Sequence, residues 1–396
     1  MQFVLERQRK SLPDYIGGPH LAPLSPQFWG ASPRTKGHNT MTRVLAAGDG
    51  FIRSATFRTS LDKAVGDRVE VREIEFGWPD VPFGAVAEVD EASGTEEQLI
   101  EALEGVTAMV TQLAPLTKRV MDASPELRLI AVSRGGPTNV NLDAARAAGV
   151  QVANVPGRNG VATAEMTLGL ALAVLRRLPL AHASLLRHEW RGDLYRDDEV
   201  GGEIQGSTIG LLGAGAVGGH VARVAKAMGA TVVVFDPYLP EGVLDGVIER
   251  VSTPEEVFER SNLISVHARL TPQSEHMVNA ARIALMKRGS ALVNAARGGL
   301  VDYAAVADAI ESGQLGGAAF DVFPEEPVDF THKLFTLAGE GYNVVVTPHI
   351  AGASTQTAQR AADGVAEEVR RYLDGEPALN PLVVFDTVAS ASHSTS

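Results

Sequence analysis

Three segments in the last third of the chain carry side chains that could bind an acid and move a proton. Arg297 lies in VNAARGGLVD, Glu326 in AAFDVFPEEP and His349 in VTPHIAGAS. A guanidinium can hold a carboxylate through two hydrogen bonds, and it can polarise a carbonyl oxygen as negative charge develops there. An imidazole can exchange a proton near neutral pH, and an adjacent carboxylate can orient it. Each residue alone is more often structural, but together they fit the interconversion of a hydroxy acid and a keto acid.

A glycine-rich segment upstream of these residues has the pattern of a dinucleotide site. It follows the apolar strand TIGLLG, precedes the helical HVARVAKAMGA, and consists of Gly213, Ala214, Gly215, Ala216, Val217 and Gly218. Gly213 permits the tight turn, Gly215 lets the backbone approach a pyrophosphate, and Gly218 lets the helix pack closely on the strand. The N-terminus of that helix, which includes Ala216 and Val217, favours a phosphate. We therefore expect this segment to bind the cofactor.

The acid at the end of the next strand indicates which cofactor is used. Asp236 ends TVVVFD at a spacing near that of a ribose-binding acid. A carboxylate there accepts a hydrogen bond from a ribose 2′-hydroxyl and repels a 2′-phosphate, and neither Pro237 nor Tyr238 supplies a compensating cation. The sequence therefore favours NAD over NADP.

Composition excludes several other kinds of chemistry and partner. The 396 residues include no Cys, so disulfides, thiolate metal ligands and cysteine nucleophiles are excluded, and we expect no metal centre. The net charge of -13 argues against nucleic acid and anionic membrane surfaces as partners. We find no apolar run of the roughly 20 residues that span a bilayer, and no signal-peptide pattern in the first residues. These features predict a cytoplasmic globular protein with two domains.

The apolar pattern also predicts how the elements are arranged. Residues 1–40 contain five prolines and lack periodicity, which predicts a flexible N-terminal arm, and 386–396 form a polar tail. Strands alternate with helices from Thr42, and the alternation restarts from Ser207 to about Pro348, which predicts two parallel α/β sheets. Between them, residues 160–190 have the composition of one extended, largely buried connecting helix.

With these motifs in place, residues 42–383 resemble the D-isomer-specific 2-hydroxyacid dehydrogenase family, in particular its phosphoglycerate dehydrogenase-like branch. The segments that carry the resemblance are LLGAGAVGGHVA, SVHARLTPQSEHMVN, LVNAARGGLVD, GGAAFDVFPEEP and TPHIAGAS. The resemblance implies two Rossmann-like, doubly wound α/β domains with the active cleft between them. An NAD-binding Rossmann domain (159–349) would be inserted into a flavodoxin-like substrate-binding domain (41–158 and 350–385). It also implies a homodimer formed through the NAD-binding domain.

The resemblance assigns roles to particular residues. It implies a catalytic triad of Arg297, Glu326 and His349. It implies cofactor contacts from residues outside the glycine loop, which are Thr163, His267, Ala295, Ala296 and Asp321. It further implies that a small carboxylate substrate binds to the loop containing Arg134, Gly135 and Gly136, with Arg297 as the other carboxylate contact.

Two departures from the family pattern leave the substrate open. Arg269 stands where proline is usual, and Thr111 stands where phosphoglycerate dehydrogenases usually carry an arginine for the phosphate, although Arg134 could supply a replacement cation. The chain ends soon after Leu382, which argues against a serine-sensing domain. Alternatives are a family member that acts on formate or phosphite, an NAD-sensing protein that resembles the corepressors of this fold, and a Rossmann-like protein with another chemistry.

Overall fold

The computed structural model describes residues 41–78 and 84–384. The N-terminal arm (1–40) and the tail (386–396) expected from the sequence lie outside this range. Within it, the chain forms two sheets, and the strands of the second sheet all lie between the fifth and last strands of the first. No single described helix is long and apolar enough to cross a membrane. One pair of consecutive helices reaches the length, but they are bent by 66°.

The first sheet has six strands in the order β13-β5-β4-β3-β1-β2, all parallel except β13. Its strands are β1 (Thr42–Gly48), β2 (Val69–Glu75), β3 (Ala108–Thr111), β4 (Leu129–Val132), β5 (Gln151–Asn154) and β13 (Pro381–Val383). Helices cover both faces and bury the central strands, as parallel pairing requires. These helices are α1 (Ser54–Val65), α2 (Glu96–Ala102), α3 (Lys118–Ala123), α4 (Leu142–Ala147) and α12 (Thr355–Asp374). α12 returns to pack on α1, so it belongs to the first sheet.

The second sheet has seven parallel strands in the order β12-β11-β10-β9-β6-β7-β8. Its strands are β6 (Thr208–Leu212), β7 (Thr231–Phe235), β8 (Glu249–Arg250), β9 (Leu263–Val266), β10 (Ser290–Asn294), β11 (Leu315–Phe320) and β12 (Val344–Val346). One face packs on α5 (Gly160–Leu175) and α7 (Ala216–Ala227). The other packs on α8 (Pro254–Arg260), α9 (Ala280–Ile283), α10 (Tyr303–Glu311) and α11 (Lys333–Gly339).

This architecture confirms the predicted fold class of two doubly wound α/β units, one inserted into the other. The residue-level boundaries at 158 and 349 stay predictions. The last helix, α12, buries Ala361, Ala362, Val365, Ala366 and Val369. The alternation of buried strands with helices was therefore sufficient to predict the architecture.

The prediction of one connecting helix over residues 160–190 was wrong, because the structure has two helices there. α5 ends at Leu175, Arg177 adopts a left-handed conformation (φ 51°), and α6 (Leu178–Leu186) begins in a new direction. Pro179 lies in the first turn of α6, where the backbone N–H that proline lacks would have no partner within the helix anyway. In the middle of a continuous helix the same proline would remove a hydrogen bond and break the helix. The Arg177 side chain bonds Glu199 at 2.8 Å and holds the corner.

Candidate active site

The residues expected to act together lie where parallel strands end. Arg134 follows β4 of the first sheet. In the second sheet Gly213, Asp236, His267, Arg297 and Asp321 follow β6, β7, β9, β10 and β11, and His349 follows β12. Because the carboxyl ends of parallel strands share one edge, the loops after them converge, and ligands of open α/β sheets bind there.

The glycine loop has the shape that a dinucleotide needs. Gly213 has φ +97°, and a Cβ on it would lie 2.9 Å from the backbone of His267. A Cβ on Gly218 would lie 2.4 Å from the carbonyl oxygen of Gly213, so helix and turn touch. By contrast, no atom of the described residues, apart from the chain neighbours of Gly215, lies within 4 Å of the corresponding position on Gly215, which caps α7. The space at Gly215, beside the N–H groups of Ala216 and Val217, suits a pyrophosphate.

Asp236 stands beside this loop. Its Oδ2 accepts a hydrogen bond from the Ala214 N–H at 2.8 Å, and its Oδ1 accepts one from the Tyr238 N–H at 2.9 Å. These contacts fix the carboxylate at the end of β7, next to the turn that would hold the pyrophosphate. This position fits the predicted contact with the ribose.

The other residues expected at the cofactor line the same edge. Thr163 is buried in the first turn of α5, where a Cβ on Gly160 would lie 3.7 Å from the Cβ of Ala216. Ala295 is buried, and the Ala296 N–H donates to Asn294 Oδ1 at 3.0 Å. Thr163 thus flanks the glycine loop, and Ala295 and Ala296 follow β10.

His267 lies under the glycine loop, with Nε2 2.9 Å from Ser265 Oγ. Burial lowers the pKa of His267 to about 4, so its ring is neutral at pH 7. A neutral, buried ring can pack against neighbouring groups without adding a charge at this edge of the sheet, and the contact of His267 with the cofactor stays a prediction.

The predicted acid–base pair is formed in the structure. His349 Nδ1 lies 2.6 Å from Glu326 Oε2, and Glu326 Oε1 accepts the Phe323 N–H at 2.9 Å. Burial alone would raise the pKa of Glu326, but the hydrogen bonds from His349 and Phe323 together hold that pKa below its ordinary value. Glu326 is therefore ionised at neutral pH, and because a carboxylate only accepts, Nδ1 of His349 carries a proton.

Asp321 holds the loop that carries His349. Its Oδ1 accepts hydrogen bonds from Thr347 Oγ1 at 2.6 Å and the Ile350 N–H at 2.9 Å, and its Oδ2 accepts the Ala351 N–H at 2.7 Å. Its carbonyl oxygen accepts the N–H of His349, whose backbone is left-handed (φ 53°). The buried carboxylate therefore fixes an unfavourable backbone conformation at His349. The cofactor contact expected of Asp321 stays a prediction.

Arg297 is carried to the same place by close backbone packing. A Cβ on Gly298 would lie 2.0 Å from the carbonyl carbon of Phe323, so the Arg297 loop touches the Glu326 loop directly. The Arg297 side chain is exposed, and it donates to the carbonyl oxygen of Ala296 at 2.7 Å. Its charge also helps to lower the pKa of Glu326.

The loop expected to bind the substrate reaches this cleft from the first sheet. Gly135 and Gly136 are exposed, and Asn154 Nδ2 donates to the Gly135 carbonyl oxygen at 2.9 Å. The guanidinium of Arg134 hydrogen-bonds the carboxylate of Glu91. Burial and, second, repulsion by Arg297 lower the pKa of Arg134 to about 10. Arg134 and Arg297, which come from different sheets, are therefore close enough to interact.

Two charged residues at this edge were not foreseen from the sequence. Asp49 is buried directly after β1, and Arg158 lies in the loop after β5. Their positions after parallel strands, the same signal that located Arg134, could have identified them. Among the described residues no group of three or more His, Asp or Glu side chains could hold a metal ion.

The chain has many relatives among known proteins. Residues 168–351 match the family model described as D-isomer specific 2-hydroxyacid dehydrogenase, NAD binding domain. D-3-phosphoglycerate dehydrogenase of Methanocaldococcus jannaschii is 38% identical over 299 residues, which are 74% of this chain and 55% of that protein. The chain thus spans about half the length of the phosphoglycerate dehydrogenases it matches.

Two relatives are covered almost in full. Glycerate dehydrogenase of Methylorubrum extorquens is 33% identical over 290 residues, which are 72% of this chain and 89% of that protein. The crystal structure of the TT0316 protein of Thermus thermophilus has a TM-score of 0.67 and 32% identity, and the alignment covers 86% of this chain and all of that one.

Proposed function

Because this chain belongs to the D-isomer-specific 2-hydroxyacid dehydrogenase family, with NAD as its cofactor, we propose that it interconverts a small D-2-hydroxy acid and its 2-keto acid. The observation that carries the proposal is the 2.6 Å contact between His349 and the ionised Glu326, beside the loop of Arg297. These groups supply an acid–base, its orienting carboxylate and a carboxylate-binding cation at one strand edge. Reduction of a 2-keto acid needs these three functions.

The chain's own residues divide the work between them. Arg297 holds the substrate carboxylate and stabilises the negative charge that develops on the C2 oxygen. Glu326 binds Nδ1 and thereby orients the ring of His349, which moves the alcohol proton at Nε2. In the reducing direction His349 donates this proton, and in the oxidising direction it accepts it. The N–H groups of the exposed Gly135 and Gly136 would complete the carboxylate site.

NAD supplies the hydride acceptor and donor when it is bound. Gly213, Gly215 and Gly218 would cradle its pyrophosphate, and Asp236 would accept from the ribose 2′-hydroxyl. The open space at Gly215 and the fixed carboxylate of Asp236 support this assignment. Thr163, His267, Ala295, Ala296 and Asp321 are placed by the same proposal around the nicotinamide end.

The proposal is tested by following NADH absorbance with a panel of 2-keto acids, and with formate and phosphite in the presence of NAD. We expect turnover with at least one 2-keto acid and none with formate or phosphite. Turnover only with formate or phosphite would favour that alternative. NADH binding without any turnover would favour a sensing protein of the corepressor type.

For assembly, we propose a homodimer formed through the α6 surface, which we define as Leu178, Leu185, Leu186, Trp190 and Tyr195. All five side chains are exposed, Trp190 and Tyr195 by 86% and 92%. Exposed large apolar side chains that recur along one segment of a folded chain are candidates for an interface. The surface lies directly after α5, which packs on the second sheet, so a partner there would join two NAD-binding units. We propose a cytoplasmic location, which fits the absence of Cys.

A further inference from the structure

Arg158 is a cation that the proposed reaction does not use. It lies between β5 and α5, and its carbonyl oxygen accepts a hydrogen bond from Arg360 Nε at 2.9 Å, which anchors its backbone to α12. Its guanidinium carbon lies 5.8 Å from the centre of the Phe51 ring. Stacking on an aromatic face holds a guanidinium in place without neutralising it.

The loop of Arg158 touches both sides of the candidate active site. A Cβ on Gly135 would lie 3.4 Å from the Cα of Pro156, so the Arg158 loop packs on the predicted substrate loop. A Cβ on Gly352 would lie 2.6 Å from Asn159 Nδ2, so the residue after Arg158 contacts the loop that follows His349. Arg158 is therefore placed where the first sheet's substrate loop meets the acid–base residue.

Arg134 and Asp49 act on the charge of Arg158 with opposite signs. Burial first, and repulsion by Arg134 second, lower the pKa of Arg158 to about 10, while Asp49 opposes this shift. Asp49 binds the N–H groups of Phe51 and Ile52 through its Oδ1. Within 41–78 and 84–384 no carboxylate accepts a hydrogen bond from the Arg158 guanidinium. Arg134, by contrast, is paired with Glu91.

Of the three guanidinium groups at this edge, that of Arg297 is assigned to the substrate C1 carboxylate and that of Arg134 is paired with Glu91, so the guanidinium of Arg158 is the one left without a hydrogen-bonded carboxylate among the described residues. Like charges held close together, partly removed from water, destabilise each other unless an anion binds between them. Thr111, at the end of β3, is buried and accepts the Ala114 N–H, so it offers no cation there. The partly buried guanidinium groups of this edge, those of Arg134 and Arg158, instead come from the loops after β4 and β5.

We propose that Arg158, assisted by Arg134, forms a second anion site in the active cleft, so that the preferred substrate is a 2-keto acid with a second anionic group at its far end. A phosphate ester and a second carboxylate share this chemistry. The inference rests on the proposed function, because it assigns the far end of the substrate whose C2 carbon is reduced. It makes Arg158 a determinant of specificity, since it acts at a group remote from the reacting carbon.

The test compares kcat/KM at saturating NADH for three kinds of substrate. Pyruvate carries one anionic group, 2-oxoglutarate carries a second carboxylate, and 3-phosphohydroxypyruvate carries a phosphate. We expect the unmodified enzyme to prefer one of the two doubly charged substrates over pyruvate. The substrate with the higher kcat/KM then shows whether the second anionic group is a carboxylate or a phosphate.

Arg158→Gln should lower kcat/KM for the preferred doubly charged substrate by about tenfold or more, mainly through KM, as the loss of one charge-assisted hydrogen bond does. The same substitution should change kcat/KM for pyruvate by no more than about twofold. Arg158→Lys keeps the charge without the planar fork, so it should retain part of the preference. Arg128→Gln is the matched control, because Arg128 is exposed directly before β4, at the opposite end of that strand from Arg134.

Thermal unfolding and NADH binding by fluorescence, measured for each variant, separate a specific effect from misfolding. Equal losses on pyruvate and on the doubly charged substrates, or no loss on either, would overturn the second anion site. A preference of the unmodified enzyme for pyruvate would overturn it too, while leaving the proposed function intact. Absence of turnover with every 2-keto acid would instead refute the proposed function itself.

Discussion

His349 Nδ1 and Glu326 Oε2, 23 residues apart in the chain, lie 2.6 Å apart in the structure. Three loops make this contact possible. The Phe323 N–H binds the other oxygen of Glu326, the backbone at Gly298 packs on Phe323, and Asp321 holds the backbone around His349. The pair is therefore positioned from both sides before a substrate arrives, which is the geometry that acid–base catalysis requires.

The ionised form of Glu326 should be needed for activity. The hydrogen bonds from His349 and Phe323 hold the pKa of Glu326 below its ordinary value, so its carboxylate keeps orienting the ring until the pH falls below that range. Glu326→Gln keeps the shape of the side chain but removes its charge, so kcat at pH 7 should fall by about tenfold or more in both directions. Glu325→Gln, a change at the exposed neighbour, is the control, and an unchanged kcat in Glu326→Gln would disprove the pairing.

Asp321→Asn should impair the loop that carries His349. The amide group of asparagine would place a donor against the N–H of Ile350 or Ala351, so at least one buried group would lose its partner. We expect the free energy of unfolding to fall by about 2 kcal/mol, and kcat to fall about tenfold because His349 is misplaced. Urea unfolding and steady-state kinetics measure these effects, with Asp329→Asn on the exposed loop as control. A fully active, equally stable variant would contradict this role, and the Kd for NADH separately tests the predicted cofactor contact.

Asp236 should determine the choice between NAD and NADP. In Asp236→Ala the hydrogen bond to the ribose 2′-hydroxyl is lost, and so is the repulsion of a 2′-phosphate. The ratio of kcat/KM for NAD to that for NADP should therefore fall by about tenfold or more. Comparable use of both cofactors by the unmodified enzyme would show that the assignment of Asp236 is wrong.

A charge placed in the α6 surface should separate the proposed dimer. Leu186→Glu would bury a carboxylate in the apolar contact, which is strongly unfavourable. Sedimentation equilibrium should then give the mass of one chain, against two for the unmodified protein. Leu379→Glu is the matched control, because Leu379 is 57% exposed on the first sheet's side of the molecule. An unmodified protein that sediments as a single chain would refute the dimer.

Features that depend on neighbouring residues could be read from the sequence alone. The glycine loop between β6 and α7 is one example, because the turn, the helix N-terminus and Asp236 lie within one βαβ unit of fixed geometry. The alternation of buried strands and helices was another, and it was sufficient for the fold class. The order of Arg297, Glu326 and His349 in their motifs identified them as candidates without showing that they meet.

Tertiary structure alone determined which distant groups share the cleft. Sheet order brings the loops after β4 and β5 to the loops after β10, β11 and β12, and no local pattern encodes that the charges of Arg134 and Arg297 interact or that Arg158 stacks on Phe51. The break at Arg177 also escaped the sequence, since the apolar composition of 160–190 suits one helix or two. The spacing of apolar residues indicates which side of a single helix or strand is buried. Electrostatic contacts depend instead on the distances between charges on different helices, strands and loops. The sequence by itself thus determined the units of the fold and its candidate residues, and the packing of those units determined which of the residues meet.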